Sequence, residues 1–565
     1  MNTAEKFVRI LRKNQIKEVF IYPGGTIAPI INACEKFKVK IHTFKSEQGA
    51  GYAAIGAYKT TKKPQILMVT SGPGVTNALT PLADAFYDSI PLFLVAGQIS
   101  TDELSKRKKV RQRGFQEVPT LDLVNKISKD HTLINNTHNF ERKVEDLIEK
   151  SNSGRPGPIV IDFPMNIQKS IFSGKKTKFK KTQTKKIKTN KKVLNQINNK
   201  ILNSKKPLLL LGNGANDQKN FELIKRLVSK YNFQVVTSLL GVGAYNTDSI
   251  NYHGYIGHTG HVAANFAAYT CDFLLVLGSR LDLRQTGTEV KKFCPEAYKV
   301  MIDIDKIELK FPRVKINIKV NQKVNSFLIN FLKIKNNKKK ITRNDNTWLN
   351  YLIEKKDLNL EDKFKTNKFV NPKKFIKKIS KKFKNKTHSV VTGVGIHQQW
   401  TARHYDFNKN VFFLTSGGHG TMGFDIPSSI GASIKTKKPV LCFVGDGSIM
   451  MNIQELKTIS EKKLNIKIFL FNNERLGIVS QFQKITFGKD PTTKMFKTPN
   501  FKTLSKSFDL KYTKIVNNKE IDKKIKNISK FLGPELIEVK IDYKADVSPM
   551  LLAGYKMNEM WYSKY

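Results

Sequence analysis

Between Gly445 and Asn473 the chain reads GDGSIMMNIQELKTISEKKLNIKIFLFNN, and no other stretch constrains its fold so tightly. Two apolar runs, at 439–444 and 466–471, read as strands, and the segment 453–463 between them reads as a helix. A strand–helix–strand crossover lays both strands parallel in one sheet. Their carboxyl ends then open on one crevice, where ligands of such sheets bind. Asp446 ends the first strand and Asn473, 27 positions on, ends the second. A carboxylate and an amide oxygen are hard ligands that suit Mg²⁺. Gly445 and Gly447, beside Ser448, have no β-carbon to keep the backbone from a phosphate. The stretch therefore reads as a Mg²⁺-anchored diphosphate site; the alternative is an ordinary strand-turn with a chance GDG.

A chain of 565 residues holds about three to four domains. It is 40% hydrophobic and 26% charged, enough to bury real cores. No apolar run reaches the roughly 20 residues that span a membrane. The opening segment MNTAEKFVRILRKNQIKEVF reads as an amphipathic helix with Ile10, Leu11 and Ile16 inside, not as a secretory signal. Cys34, Cys271, Cys294 and Cys442 show neither metal nor disulfide spacing, which fits a reducing cytoplasm. The net charge of +53 raises nucleic-acid binding, but the lysines are scattered. They concentrate only in two linkers, 175–192 and 333–340, and no zinc-finger spacing or RNA-binding aromatic motif accompanies them. The charge reads as solvated faces that attract anionic substrates and cofactors.

Alternating strands and helices divide the chain into three α/β domains on central parallel sheets, at 1–170, 190–333 and 370–545, with a tail at 546–565. The first carries VFIYPGG, ILMVTSGPG, LFLVAGQ and PIVIDFP; the second PLLLLGNGAN, FLLVLGSR and YKVMIDIDK; the third SVVTGVG, VFFLTSGG, VLCFVGDG and IKIFLFNN. The first and third share a strand-then-glycine rhythm that suggests two related halves. The tail holds Pro549, Met550, Met557, Met560 and Trp561, which cover an active site, make a subunit contact or simply pack.

Two motifs of the first domain gain meaning beside the diphosphate stretch. FKSEQGAGYAAIGAY places Glu47 ahead of a helix whose Gly49, Ala50, Ala53, Ala54 and Ala57 permit close packing. By itself Glu47 reads as a residue favouring a helix N-terminus. In TSGPGVTN, Gly72, Pro73 and Gly74 make a tight turn, and Asn77 offers hydrogen bonds.

Nearly the whole chain resembles the acetolactate synthase large-subunit family. The motifs stand in order: YPGG (22–25), SEQGA (46–50), TSGPGVTN (70–77), GFQEV (114–118), SGRPGPIVIDFP (153–164), TSGGHGTMGF (415–424), GDGS, NN and the closing VSPMLLAG. The resemblance implies a thiamine-diphosphate enzyme that decarboxylates pyruvate and passes the two-carbon unit to a carbonyl acceptor. It implies Glu47 against the aminopyrimidine ring, promoting its imino form. It makes Asp446, Asn473 and the carbonyl of Arg475 the Mg²⁺ ligands, and Met422 the prop of the bent cofactor. His397 and Gln398 match the diphosphate end, and Phe115, Gln116 and Lys129 the substrate channel. Arg155 matches an FAD contact, with 212–215, 257–267 and 278–287 in the corresponding stretches; the alternative is a flavin-free middle domain, as in decarboxylase relatives. The family active site lies between the first domain of one subunit and the third of another, so a homodimer or homotetramer is expected, with room for a regulatory subunit.

The departures concern the acceptor. Phe482 stands where the family has a tryptophan that shapes the acceptor pocket. Ile396 replaces a glutamine, His419 a leucine, and His258-Thr259 a Met-His pair. The run 264–287 also resembles relatives of deoxysugar pathways, which transfer an acetyl unit to a keto-sugar nucleotide. A simple 2-oxo-acid decarboxylase is the further alternative.

Overall fold

The computed structural model describes residues 1–104, 110–173, 190–335, 346–357, 368–491 and 497–563. The lysine-rich linkers expected at 175–192 and 333–340 lie outside these residues except at their edges, 190–192 and 333–335. The described residues form three six-stranded parallel sheets. The opening helix, Thr3–Lys13, is closed at its start by a reciprocal Asn2–Glu5 capping box and buries Phe7, Val8, Ile10 and Leu11.

In the first sheet the strands lie side by side as Lys40–Thr43, Glu18–Ile21, Gln65–Val69, Leu92–Gln98, Ile159–Pro164 and Asp130–Leu133. In the third they run Val411–Thr415, His388–Thr392, Val440–Gly445, Ile466–Asn472, Glu535–Lys540 and Lys511–Ile515. Numbered within each domain, both orders are 2-1-3-4-6-5. The shared glycine rhythm thus corresponds to a shared topology. The central sheet is wound otherwise: Ile318–Asn321, Tyr298–Asp303, Phe273–Leu277, Pro207–Leu211, Gln234–Thr237 and Tyr252–Tyr255. This is the doubly wound order of dinucleotide-binding sheets, with its switch point between Pro207–Leu211 and Phe273–Leu277.

The first and third domains cross through two helices, Glu47–Thr61 and Asp425–Thr436. Their backbones touch: a β-carbon on Gly56 would lie 2.2 Å from the Ser428 carbonyl oxygen, and one on Gly431 would lie 1.8 Å from that of Ala53. Ser428 Oγ also donates to the Tyr52 carbonyl at 2.9 Å. The small residues of the SEQGAGYAAIGA run are therefore the surface on which two domains join.

The helix expected over 453–463 is present as Glu455–Glu461, and a further short helix, Asp446–Met450, precedes it across a turn. Asn452, in that turn, bonds outward, with its Nδ2 on the Gly423 carbonyl at 2.9 Å and on Gln48 Oε1 at 3.2 Å. The tail is packed between domains. Val547 and Met550 join the core of the third domain, while Leu551 and Met557 join that of the central one. Arg403 locks this seam, donating to the carbonyls of Thr259 (2.8 Å), Gly260 (3.1 Å), Ser548 (2.9 Å) and Pro549 (2.6 Å). Among the described residues no helix is long and apolar enough to cross a membrane.

Candidate active site

Strands Val440–Gly445 and Ile466–Asn472 are direct neighbours, with Gly445 beside Phe471, so Asp446 and Asn473 leave the sheet together. The Asp446 carboxylate is buried, and its Oδ2 accepts N–H bonds from Glu474 (2.6 Å) and Asn473 (3.2 Å). Burial nevertheless raises its pKa to about 7, and the surrounding N–H donors only partly offset this. Such a group calls for a cation. Next to it, the buried Nδ2 of Asn473 and Nε2 of His397 have no hydrogen-bond partner. A β-carbon on Gly445 would fall 2.8 Å from His397 Nδ1, so the missing side chains at Gly395 and Gly445 make the hollow in which this ring sits. The Arg475 side chain points away to Ser480 Oγ, the Ala545 carbonyl and Asp546, leaving only its carbonyl for a metal. Unsatisfied polar atoms, bare glycines and a buried carboxylate suit a Mg²⁺ diphosphate.

Met422 is half-buried on a loop pinned at both ends. Gly420 and Gly423, both at φ +77°, turn the chain on either side of it. Ser416 Oγ accepts the Gly420 (3.1 Å) and Thr421 (2.9 Å) N–H groups, and Ser448 Oγ accepts that of Gly423 (3.0 Å). Ser448 in turn donates to Asp425 at 2.6 Å, and Asp425 stands 3.8 Å from His397. Sequence reasoning missed Asp425; its only signal is an acidic residue directly after the glycine-rich loop. Gln398, expected at the diphosphate, instead donates to Thr415 Oγ1 (2.7 Å) and the Ser416 carbonyl (3.2 Å). It supports the loop from within because the helix Ile396–His404 turns its amide inward, away from His397.

Glu47 is the first residue of its helix and is buried, with Ser46 capping that helix at Gly49 N (2.9 Å). Its Oε2 accepts from Asn77 Nδ2 at 3.1 Å, so the SEQGA and TSGPGVTN motifs meet. Pro73 opens the helix that carries Asn77, and Gln116, itself at φ +62°, packs on Gly72, where a β-carbon would lie 2.9 Å from it. Phe115 is 86% exposed. Lys129 is half-buried and donates to the carbonyls of Ser153 and Arg155, so it braces that loop instead of presenting its charge to an open channel.

Arg155 bridges the first and central domains through Ser89 Oγ (2.8 Å), Asp305 (3.1 Å) and Glu308 (2.9 Å). It lines a cavity of about 680 Å³. The cavity opens at the switch point of the central sheet, where Gly214 and Gly278 lie backbone against backbone in its wall, and continues to Gly395 and Phe482 of the third domain. His258 lines it with Nδ1 2.7 Å from the Leu551 carbonyl. His419 lies outside, stacked on Tyr87.

The three sheets and this site define a thiamine-diphosphate enzyme. Family models agree along the chain: the N-terminal TPP-binding domain of thiamine pyrophosphate enzymes matches residues 1–124, the central domain 194–330, and the C-terminal TPP-binding domain 393–539. The chain is 31% identical over 562 residues to the acetolactate synthase isozyme 2 large subunit of Escherichia coli strain K12, covering 99% of each. It is 32% identical to the acetolactate synthase large subunit of Buchnera aphidicola subsp. Schizaphis graminum, covering 100% of this chain and 99% of that one. It is also 32% identical to the large subunit of Lactococcus lactis subsp. lactis, with 99% and 95% covered. The chain belongs to the acetolactate synthase large-subunit family, and it is an enzyme that uses thiamine diphosphate.

Proposed function

We propose that this chain decarboxylates pyruvate, or a close 2-oxo acid, and transfers the two-carbon unit to a carbonyl acceptor, with Asp446, Asn473 and the Arg475 carbonyl holding Mg²⁺. The observation that carries this is the convergence of a buried, raised-pKa Asp446 with unpartnered atoms of Asn473 and His397 at the ends of adjacent strands. Bound thiamine diphosphate supplies an electron sink for decarboxylation. The chain's own residues do the rest. Asn77 fixes Glu47 by its Oε2, which leaves Oε1 as the atom that would hold a proton toward a bound aminopyrimidine. Met422, on its doubly pinned loop, would support the ring system, and His397, Gly445, Gly447 and Ser448 would receive the diphosphate. Gln116, beside the turn at Gly72–Pro73, and Phe115 face the substrate.

The cavity at the switch point suits FAD, which Gly214, Gly278 and Arg155 in its wall would help to hold. A second reading of the acceptor uses the same observation. Because the cavity runs on to Phe482, it also has room for a carbonyl acceptor carried on a nucleotide. We further infer that the units 1–170, 190–333 and 370–545 are domains, and that two copies of the chain share each active site. Exposed Phe115 and Met451 support that pairing. The large-subunit names of the relatives support a regulatory partner as well. Four free, buried cysteines support a cytoplasmic setting.

Incubation with pyruvate, thiamine diphosphate and Mg²⁺ tests the reading. Acetolactate supports it, whereas acetaldehyde alone makes the protein a decarboxylase. A protein with no flavin absorbance and no uptake of FAD loses the flavin assignment, and the nucleotide-linked acceptor then takes the cavity.

A further inference from the structure

Gln399 is buried on the helix Ile396–His404, at the point where the cavity passes from the central domain into the third. Its two amide atoms face different domains. Oε1 accepts from Thr259 Oγ1 at 2.6 Å and from Tyr255 OH at 2.9 Å, both in the central domain. Nε2 donates to Gln398 Oε1 at 2.8 Å. Gln398 passes the connection to Thr415 Oγ1 and the Ser416 carbonyl. Ser416 Oγ gathers the N–H groups of Gly420 and Thr421, the two residues before Met422, and donates to Asp84 of the first domain at 2.5 Å. A file of hydrogen bonds, buried along its middle and passing through Ser416, thus runs from the wall of the cavity to the Met422 loop.

We propose that Gln399 is a positioning residue: through Gln398 it sets the Met422 loop according to how Tyr255 and Thr259 are held on the cavity side. Two features favour this over ordinary core filling. The amide orientation is fixed from the loop side: the Ser416 carbonyl can only accept, so Gln398 turns its oxygen to Gln399 Nε2, which leaves the Gln399 oxygen for the two hydroxyls. The central links, Tyr255, Gln398, Gln399 and Ser416, are also buried, where bonds in a chain reinforce one another and a lost partner is expensive. The consequence is that a change in the central domain, outside the thiamine-diphosphate site, alters how well the loop is organised before the cofactor arrives.

The inference rests on the reading that the Met422 loop contacts thiamine diphosphate, and the experiment separates the two. Thiamine-diphosphate half-saturation is measured by fluorescence quenching for the full chain with Mg²⁺, in wild type, Thr259→Val, Thr259→Ser, Gln399→Leu and Thr259→Val/Gln399→Leu. Each buried bond is worth about fivefold in an equilibrium. Thr259→Val is therefore expected to weaken half-saturation about fivefold and Gln399→Leu roughly tenfold. The double variant should be no weaker than Gln399→Leu alone, because both changes cut one chain. Thr259→Ser, which keeps the hydroxyl, should restore wild-type half-saturation, and kcat at saturating cofactor should change far less than half-saturation. A wild type that does not bind thiamine diphosphate would overturn the loop assignment itself. A wild type that binds, with Thr259→Val and Gln399→Leu binding equally well or their effects simply multiplying, would overturn the positioning role.

Discussion

Gly431→Ala should destabilise this protein, although alanine is the better helix former by about 1 kcal/mol. The reason lies in the crossing of Glu47–Thr61 with Asp425–Thr436. A β-carbon at residue 431 would sit 1.8 Å from the Ala53 carbonyl oxygen, against 3.4 Å for ordinary contact, so the helices must part by about 1.6 Å. The obstructing atom is backbone, so no rotamer change relieves it. Overpacking of this kind costs roughly 1–3 kcal/mol. Parting the helices also stretches the 2.9 Å bond from Ser428 to the Tyr52 carbonyl, a further loss of about 1 kcal/mol. Together these exceed the propensity gain and leave a net loss of about 2 kcal/mol, or about 4–8 °C in Tm for domains of this size. Thermal unfolding followed by circular dichroism reads the shift. Gly25→Ala serves as the control, since nothing lies within 4 Å of a β-carbon there. Because Glu47 heads the displaced helix, turnover should fall along with stability. Gly431→Ala melting at or above the wild-type temperature would refute the contact argument.

Glu47→Gln should keep thiamine-diphosphate binding, since its oxygen still accepts from Asn77, but lower kcat by about 10²–10⁴ in a steady-state pyruvate assay. Burial holds the Asp446 pKa up at about 7, so below that pH Mg²⁺ must displace a proton. Half-saturating Mg²⁺ should therefore rise by about tenfold per pH unit below 7 and level off above it, a profile that titration at a series of pH values reads directly. Asp162 is buried, accepts from Gln98 at 3.2 Å, and has its pKa raised from 3.8 to about 7 by desolvation. The fold thus prefers its neutral form, so its contribution is full below pH 4, declines by up to about 1.4 kcal/mol per unit as pH rises to 7, and is flat beyond. Asp162→Asn should then gain stability over wild type progressively between pH 4 and 7, as measured by urea unfolding.

The core of the site was legible because it is written in contiguous stretches. GDGS and NN sit at the ends of strands whose apolar runs and crossover force them together, and Glu47 and Asn77 each follow a strand in the same sheet. Asp425 was not legible, because its meaning arises only when the chain brings it back to Ser448 and His397. His397 and Gln398 read alike in the sequence, but adjacent helical residues point in different directions, and only the fold shows that His397 faces the glycine hollow while Gln398 faces the loop. The short helix Asp446–Met450 and the turn after it were hidden for a like reason, since Asn452 bonds partners far along the chain. The winding of the central sheet was hidden altogether, for strand order is a property of pairing.

The crossing at Gly56 and Gly431 also divides the molecule mechanically. With backbone on backbone, the first and third domains have no slack between them and behave as one stiff body. The central domain meets the third through separate side-chain links, the hydrogen bonds of Gln399 and Arg403 and the packing of Tyr255, which can yield one at a time. Thermal breathing should therefore concentrate at that seam. Amide exchange would read it as faster opening around 257–261 than along Glu47–Thr61, with the mouth of the cavity as the hinge.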